Sequence, residues 1–286
     1  MYSFLKEVLL NHIGVSYRRK DAPEKVHGHT KYTDDHRTPG MLYAAVKSST
    51  YAHAKLISID CEAARKAPGV RGVFTGEDFP TRIGLYLGDK TALARDRVRF
   101  YGEPVAAVVA DSEAAAVEAL KLIEIEYEEL PVVGSPREAL APEAPVIHPD
   151  MAEYVHIPAI FPEPGSNVGN RTKIRKGDAE AAFKEADVVV EGSYEFPPGD
   201  HVAMEPRIAI AEIRPDGQVI IRTSTQSPYN ARIILARCFD LPPGKITVIS
   251  PAVGGGFGGK AGIQLEPLAY LLSKGVSGRP VRLANS

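Results

Sequence analysis

A run of glycines between a strand-like and a helix-like segment is the feature of this sequence that most restricts its fold. Five of the six residues in 254–259 are glycine, within the segment PAVGGGFGGK (251–260). An apolar segment of strand length, KITVIS (245–250), precedes the run, and GIQLEPLAYLLSK (262–274) follows it with helical periodicity. Because glycine adopts positive φ and lets backbone N–H groups approach a ligand, we predict a tight strand-to-helix loop beside a helix N-terminus suited to oxyanions.

The loop fits two nucleotide-binding patterns incompletely. Gly254 to Lys260 match the phosphate-binding pattern G-x-x-x-x-G-K, but Ala261 stands where that motif needs Ser or Thr to hold Mg²⁺. Gly254, Gly256 and Gly259 match the dinucleotide pattern G-x-G-x-x-G, but no acidic residue lies about 20 positions further on to bind a ribose. A turn without any ligand is the remaining alternative. Such a turn needs only one or two glycines, and each costs about 0.5–1 kcal/mol relative to Ala in regular structure.

Hydrophobic patterning predicts an α+β fold. In the first half, EPVAAVVAD (103–111) and EIEYEEL (124–130) are predicted strands on either side of a helix, SEAAAVEALKLI (112–123), with Ser112 as its N-cap. The segment 131–164 is rich in proline and has little periodicity, which predicts an extended linker. We predict four parts: an N-terminal helix and connector at 1–17, a first α+β domain at 18–135, the linker at 136–170 and a second α+β domain at 171–286.

The second half carries several local structure signals. GDAEAAFKEA (177–186) is a predicted helix capped near Asp178, and DVVVEGSYEF (187–196) is a predicted strand. The turn sequence RPDG (214–217) between two apolar runs predicts a β-hairpin. The segment SPYNARIILARCFD has Ser227 at the N-cap position and proline at the first helical position, which favours a helix.

Composition excludes several classes of function. The formal net charge is −2, so no basic field points to nucleic acid or to an anionic membrane. The two cysteines, Cys61 and Cys238, cannot supply the four or so thiolates that an iron–sulfur cluster needs. No apolar run approaches the length of about 18 residues that spans a membrane, and MYSFLKEVLLNHIG at the N-terminus lacks the apolar core of a signal peptide. We therefore expect a cytoplasmic protein with two free thiols.

Two motifs resemble the molybdenum-binding subunit of xanthine dehydrogenases and aldehyde oxidases. GGGFGGK (254–260) is similar to the family's loop beside the metal, and Ser224-Thr225-Gln226 lies at the family's separation from Phe257. The resemblance covers about residues 18–284 and implies an a/b hammerhead domain followed by a partial molybdopterin-binding α+β domain. Further segments similar to the family are DAPEKVHGHTKYTDD, AHAKLISID, PGVRGVFTGEDFP, VRFYGEPVAAVVAD, GDAEAAFKEADVVVEGSYEFP and MEPRIAIAEI.

The resemblance implies a set of site residues and a cofactor. The cofactor is molybdenum-molybdopterin, with no direct protein ligand to the metal. Gln226 corresponds to a glutamine that hydrogen-bonds an oxygen on molybdenum, and Gln226 and Phe257 are the predicted catalytic residues. Ala261 occupies a substrate-pocket position where xanthine-oxidising relatives carry a Glu. The predicted cofactor-binding residues are Gln226, Gly255, Gly256, Phe257 and Gly258.

The resemblance also implies a reaction and partners. The family hydroxylates a purine, another N-heterocycle or an aldehyde with water as the oxygen source, and its electrons pass to 2Fe–2S and FAD centres, expected here on partner subunits. The family's general base is a Glu in a Gln-Gly-x-Gly-Glu segment that this sequence lacks. We therefore expect half of a split molybdenum subunit, completed by a C-terminal half, or the product of a truncated frame. The alternative is a non-catalytic remnant or interaction module that keeps the fold without cofactor.

Three other groups of polar residues are weaker candidates. His201 and Glu205 have the spacing of an acid/base pair on a helix, but the surrounding prolines and Gly199 predict a loop, and a local role stays open. The alternating glutamates of 124–129 are expected to form the solvent-exposed face of a strand. A solvated connector is favoured over a metal site for His27, His29, Asp34, Asp35 and His36.

Overall fold

The computed structural model describes residues 14–285, and its central element is a seven-stranded mixed sheet. The strands, in chain order, are β1 Leu42–Ser48, β2 Ala54–Asp60, β3 Val70–Thr75, β4 Arg82–Ile83, β5 Lys90–Thr91, β6 Arg97–Val98, β7 Pro104–Ala110, β8 Glu124–Glu129, β9 Ile208–Ile213, β10 Val219–Thr223, β11 Ile246–Ile249 and β12 Val281–Ala284. The α-helices are α1 Ala22–Val26, α2 Glu62–Arg65, α3 Glu113–Leu120, α4 Pro136–Ala139, α5 Ala179–Glu185, α6 Pro228–Phe239 and α7 Glu266–Gly275.

The large sheet contains strands from both halves of the chain. Its order is β11-β10-β9-β12-β1-β7-β3, while β6-β2-β8 and β4-β5 form two smaller sheets. The junction is the parallel pair β1–β12, in which Leu42 lies opposite Val281 and Ala44 opposite Leu283. All four of these side chains are buried, so burial of apolar surface stabilises the pairing. The sheet therefore runs without interruption from the first predicted domain into the second.

Strand β7 is buried on both faces, which explains its uninterrupted apolar sequence. Ala106, Val108 and Ala110 share one hydrophobic cluster with the buried alanines of α3. Ala107 and Val109 point to the opposite side, into the cluster that holds the apolar face of α7. Successive residues of a strand alternate between faces, so one strand supplies both clusters. A substitution at Val108 would therefore disturb mainly the cluster beside α3, and a substitution at Val109 mainly the cluster beside α7.

Several local predictions are confirmed. The Ser112 hydroxyl accepts a hydrogen bond from the Ala115 N–H at 3.2 Å and begins α3, and the Asp178 carboxylate caps α5 in the same way. The RPDG turn closes the β9–β10 hairpin, with the Arg214 N–H donating to the Gln218 carbonyl at 2.9 Å. The glutamates of β8 are exposed, as expected for the solvent face of a strand.

The prediction of a strand at 187–196 is wrong for the part of the chain that the structure describes. The segment has no ladder partner there, and its apolar side chains, including Val190, Tyr194 and Phe196, are exposed. β-branched and aromatic residues favour an extended backbone, but a strand forms only against a neighbour. The predicted N-terminal helix falls mostly on residues 1–13, outside the described residues.

Helix α7 begins at Glu266, four residues later than predicted. The Glu266 carboxylate accepts the Gln264 N–H at 2.6 Å and the Thr223 hydroxyl at 2.7 Å, which holds the first turn to β10. Ser227 occupies the position before α6 as predicted, but its side chain makes no capping bond. The hydroxyl of Thr225 instead accepts the Ser227 N–H at 3.1 Å.

The connector that precedes β1 is only partly solvated. His27 and His29 are exposed and His36 is half-buried. Thr33 is fully buried, and the Asp34 carboxylate lies 2.6 Å from the guanidinium of buried Arg282. This contact holds the pKa of Asp34 below its usual range. The expectation of a solvated connector was therefore wrong for Thr33 and Asp34, because no local pattern indicates Arg282 as a distant partner.

The predicted linker is packed against the first half of the chain. It contains the short helix α4 and buries Met151 and Tyr154. The Ile157 N–H donates to the Tyr86 carbonyl at 3.0 Å, so extended backbone crosses the surface formed by β4 and its neighbours. Nowhere in residues 14–285 does a helix have both the length and the apolar character to cross a bilayer.

Candidate functional site

Gln226 and the glycine loop, far apart in sequence, are in direct contact. Gln226 follows β10, and its side-chain Oε1 accepts hydrogen bonds from the backbone N–H groups of Gly258 at 3.1 Å and Lys260 at 3.3 Å. The Gln226 N–H donates to the Lys260 carbonyl at 2.9 Å, and the Thr225 hydroxyl donates to the same carbonyl at 3.2 Å. Two of the predicted site segments thus form one hydrogen-bonded unit.

The chain's own packing accounts for all five glycines. A Cβ on Gly256 would lie 2.4 Å from Cδ of Gln226, so no other residue lets that side chain reach the loop amides. The same holds, with other neighbours, for Gly254 beside Glu205 and Gly259 beside His201, while Gly255 and Gly258 have positive φ. The expectation that a turn without a ligand needs only one or two glycines is therefore wrong. The glycine count by itself does not indicate a ligand.

Phe257 lies at the apex of the loop in an unusual backbone conformation. Its φ is 51°, in the left-handed region that costs a non-glycine residue about 1–2 kcal/mol. Its side chain is 73% exposed, although a large aromatic ring is normally buried. Strained, exposed residues of this kind persist where the surrounding structure holds them, and they concentrate at binding sites.

The loop presents hydrogen-bond donors that no other described residue satisfies. Among the described residues, the backbone N–H groups of Gly255, Gly256 and Phe257 have no hydrogen-bond partner, and neither has the side-chain Nε2 of Gln226. Such donors suit a group with oxo or anionic oxygens. No set of three His, Cys, Asp or Glu side chains able to hold a metal ion occurs in residues 14–285. The residues thus fit a cofactor that brings its own metal ligands and offers oxygens to the protein.

Lys260 is not available to a phosphate. Only 3% of its side chain is exposed, and its Nζ lies 2.9 Å from Oε2 of Glu205, which is itself 9% exposed. The phosphate-binding-loop interpretation is therefore wrong, because its lysine must reach the ligand. The dinucleotide interpretation is also disfavoured, since α7 begins at Glu266, well beyond Gly259, and its N-terminus does not adjoin the loop.

A cleft of about 270 Å³ adjoins the loop on the side of residues 200–207. His201 and Glu205 both line it from an irregular segment, as the prolines predicted, and they do not contact each other as an acid/base pair. The Arg207 guanidinium donates to the Gly259 carbonyl at 3.1 Å and holds the loop from this side. Ala261 is exposed just past the loop, where its N–H donates to the Gly258 carbonyl at 3.1 Å.

The roles of Arg207 and of the Glu205–Lys260 pair were missed from the sequence. The one available signal was an acidic residue directly before a buried strand, in MEPRIAIAEI. A carboxylate at such a boundary is often paired, but nothing in the sequence identifies a partner 55 residues away.

Two family models match most of the chain between them. The aldehyde oxidase and xanthine dehydrogenase a/b hammerhead domain matches residues 27–131, and the molybdopterin cofactor-binding domain matches residues 160–286. The chain belongs to the aldehyde oxidase and xanthine dehydrogenase family. The second model covers Gln226 and the whole glycine loop, which is where the hydrogen-bonded unit lies.

Curated relatives and solved structures agree with this assignment. Over 94% of this chain, the sequence is 35% identical to the xanthine dehydrogenase molybdenum-binding subunit of Escherichia coli O157:H7, and over 96% it is 33% identical to the nicotinate dehydrogenase large molybdopterin subunit of Eubacterium barkeri. The fold is similar to quinoline 2-oxidoreductase from Pseudomonas putida 86, with a TM-score of 0.81 and 34% identity over 96% of this chain and 34% of that chain. The chain spans 35% of the Escherichia protein and 61% of the Eubacterium protein.

Proposed function

We propose that this chain forms one wall of a molybdopterin site in an enzyme that oxidatively hydroxylates a purine, another N-heterocycle or an aldehyde. The observation that carries the proposal is the donor face of the loop, where Gln226 Nε2 and the N–H groups of Gly255 to Phe257 have no partner in the described residues. Bound molybdopterin would supply the redox centre at which a substrate carbon is oxidised with water as the oxygen source.

Each loop residue has a distinct part in this proposal. Gln226 and the amides of Gly255, Gly256 and Phe257 would donate hydrogen bonds to oxygens of the cofactor and of the developing oxyanion. Their geometry is set in advance, because the Gly258 N–H holds Oε1 of Gln226 and leaves its Nε2 free to face a ligand. The exposed ring of Phe257 would give the substrate an apolar wall.

The remainder of the active site is proposed to lie in the C-terminal half of the molybdenum subunit, outside this sequence. This sequence lacks the Gln-Gly-x-Gly-Glu segment, and it spans about a third of most of the molybdenum-binding relatives it matches. The C-terminal half of the molybdenum subunit, as a separate chain or as the continuation missing from this sequence, would supply the general base, and 2Fe–2S and FAD subunits would take the electrons. We propose a cytoplasmic assembly of these chains, acting on a small molecule and binding neither nucleic acid nor membrane.

An exposed apolar segment supports this partner. Residues 187–204 contain Phe196, 86% exposed, and Met204, 96% exposed, together with Val190 and Tyr194. Contiguous apolar surface of this kind in a soluble protein marks an interaction site. Its strand-like sequence suits pairing with a strand from the chain that completes the domain.

The test is the cofactor content of the assembled protein. The chain is purified together with its neighbouring subunits, and molybdenum is measured by mass spectrometry while the pterin is measured by fluorescence after extraction. About one molybdenum and one pterin per complex are expected. A stable complex without either would favour the second candidate, an interaction module that keeps the fold without a cofactor.

Replacing Ala261 with Glu is expected to shift relative kcat/KM of the assembled enzyme toward purines. The alanine side chain can neither donate nor accept, whereas a carboxylate at this exposed position can hydrogen-bond a purine N–H. A hydrogen bond to a buried polar group contributes about 1–3 kcal/mol, which corresponds to a shift of roughly 5- to 100-fold. The measurement is kcat/KM for hypoxanthine against an aldehyde.

Ala63→Glu, on the exposed face of α2, is the matched control and should leave the ratio unchanged. An unaltered purine-to-aldehyde ratio in Ala261→Glu would show that position 261 does not line the substrate pocket.

A further inference from the structure

A single carboxylate fastens both ends of the glycine loop. Oε2 of Glu205 accepts a hydrogen bond from the Gly254 N–H at 2.8 Å and forms an ion pair with Lys260 Nζ at 2.9 Å. The Glu205 N–H in turn donates to the Gly254 carbonyl at 3.1 Å. Gly254 and Lys260 are the first and last residues of the motif, so the loop is closed on Glu205 as a ring.

The fastened end is also the end that holds Gln226. The backbone of Lys260 donates to Oε1 of Gln226 and accepts from its N–H, while the Lys260 side chain is held by Glu205. Displacement of Lys260 would therefore move two of the three hydrogen bonds that orient the glutamine, the third being the one that Oε1 accepts from the Gly258 N–H. We propose that Glu205 is a positioning residue that acts through Lys260 to set the loop and the Gln226 amide. Its consequence for catalysis rests on the function proposed above, whereas the clamp itself is a property of this chain.

The electrostatics favour a positioning role over a purely stabilising one. Removing two opposite charges from water costs free energy that their attraction offsets only when both groups are fully hydrogen-bonded. Here the second carboxylate oxygen, Oε1 of Glu205, is buried and has no partner in the described residues. Apolar side chains could fill the same space without that cost, so the pair's distinctive contribution is a fixed geometry.

Limited proteolysis of the full chain tests the clamp without any cofactor. Phe257 is exposed and is a chymotrypsin site, but a protease needs several residues of extended backbone. The loop backbone is instead folded into two hydrogen-bonded turns. In one the Gly259 N–H donates to the Gly256 carbonyl, and in the other the Ala261 N–H donates to the Gly258 carbonyl. Cleavage after the exposed Tyr194, in a segment without ladder pairing, supplies an internal reference in every sample.

Glu205→Ala is expected to raise the rate of cleavage after Phe257, relative to cleavage after Tyr194, by about tenfold or more, since local opening becomes easier once a charged partner is lost. Glu205→Gln should restore most of the protection, because its amide oxygen still accepts from Gly254 and Lys260. If Glu205→Ala does not fold, Glu205→Gln alone should show a small but measurable increase of about two- to fivefold. Cleavage sites are identified by mass spectrometry.

Thr223→Val is the matched control, since it removes a buried hydrogen bond to Glu266 next to the loop without touching the clamp. It should lower the melting temperature but leave the Phe257-to-Tyr194 cleavage ratio unchanged. An unchanged ratio in every folded Glu205 variant, or an equal increase in Thr223→Val, would overturn the clamp. A raised ratio in Glu205→Ala together with a wild-type complex that contains no molybdenum would uphold the clamp and reject the proposed function.

Discussion

Replacing Gln226 with Ala in the assembled enzyme is expected to lower kcat by about 100-fold, the usual effect of removing one preorganised donor at a developing oxyanion. The residue lies at the end of β10, exposed and outside the hydrophobic clusters, so the sheet should fold normally. Substitution removes the free Nε2 donor and the two hydrogen bonds that Oε1 accepts from the backbone N–H groups of Gly258 and Lys260. The measurements are kcat, molybdenum content and melting temperature.

Gln218→Ala supplies a matched control for this variant. Gln218 is the same residue type at the opposite end of β10, and its side chain bonds only the Thr247 hydroxyl at 3.0 Å. It should lose no turnover. Wild-type turnover in Gln226→Ala with full cofactor content would contradict the role assigned to the glutamine, whereas a loss of molybdenum would show that Gln226 acts in cofactor binding.

The isolated chain is expected to show no turnover and to retain far less than one molybdenum per molecule. The sequence has no Gln-Gly-x-Gly-Glu base, and the apolar segment around Phe196 is exposed. A cofactor held by one wall loses most of the contacts that a concave site gives, since such sites bury most of a ligand's surface. Metal analysis and pterin fluorescence of the chain expressed alone test this directly.

The complementary measurement is hydrogen–deuterium exchange with and without the partner chain. Amides of 187–196 should exchange fast in the isolated chain and slowly in the complex, while those of β7 should be protected in both, because that strand is already buried. Stoichiometric molybdenum in the isolated chain would contradict the prediction and would mean that one wall suffices for binding.

The parts of the fold that could be predicted depend on neighbouring residues. Ser112 and Asp178 cap helices that begin one residue later, and the RPDG turn joins two strands that pair with each other. The juxtaposition of Gln226 with the loop was also anticipated, but from a family resemblance and not from the residues alone. Local capping and turn chemistry acts over a few residues, so a sequence displays it directly.

The parts that could not be predicted depend on distant partners. The Glu205–Lys260 pair and the Asp34–Arg282 contact join residues that no periodicity relates. The segment 187–196 has the composition of a strand, but pairing also needs a neighbouring strand, and none of the described strands pairs with it. The position of the glycine loop could be predicted, but the side chains that crowd its glycines come from other segments and could not.

The parallel contact between β1 and β12 has a consequence for how this polypeptide can be made and divided. Strand β1 pairs with β7 on one side and with β12 on the other, and β12 is synthesised much later than β1. Until β12 has left the ribosome, β1 has one unpaired, largely apolar edge that can pair with other chains. Pairing of strands from opposite ends of the sequence also closes a very long loop, which slows folding. A gene divided within 136–170 would leave two such edges at once. The hammerhead half supplies three of the seven strands of this sheet, so separating the two halves would expose an apolar strand edge on each of them.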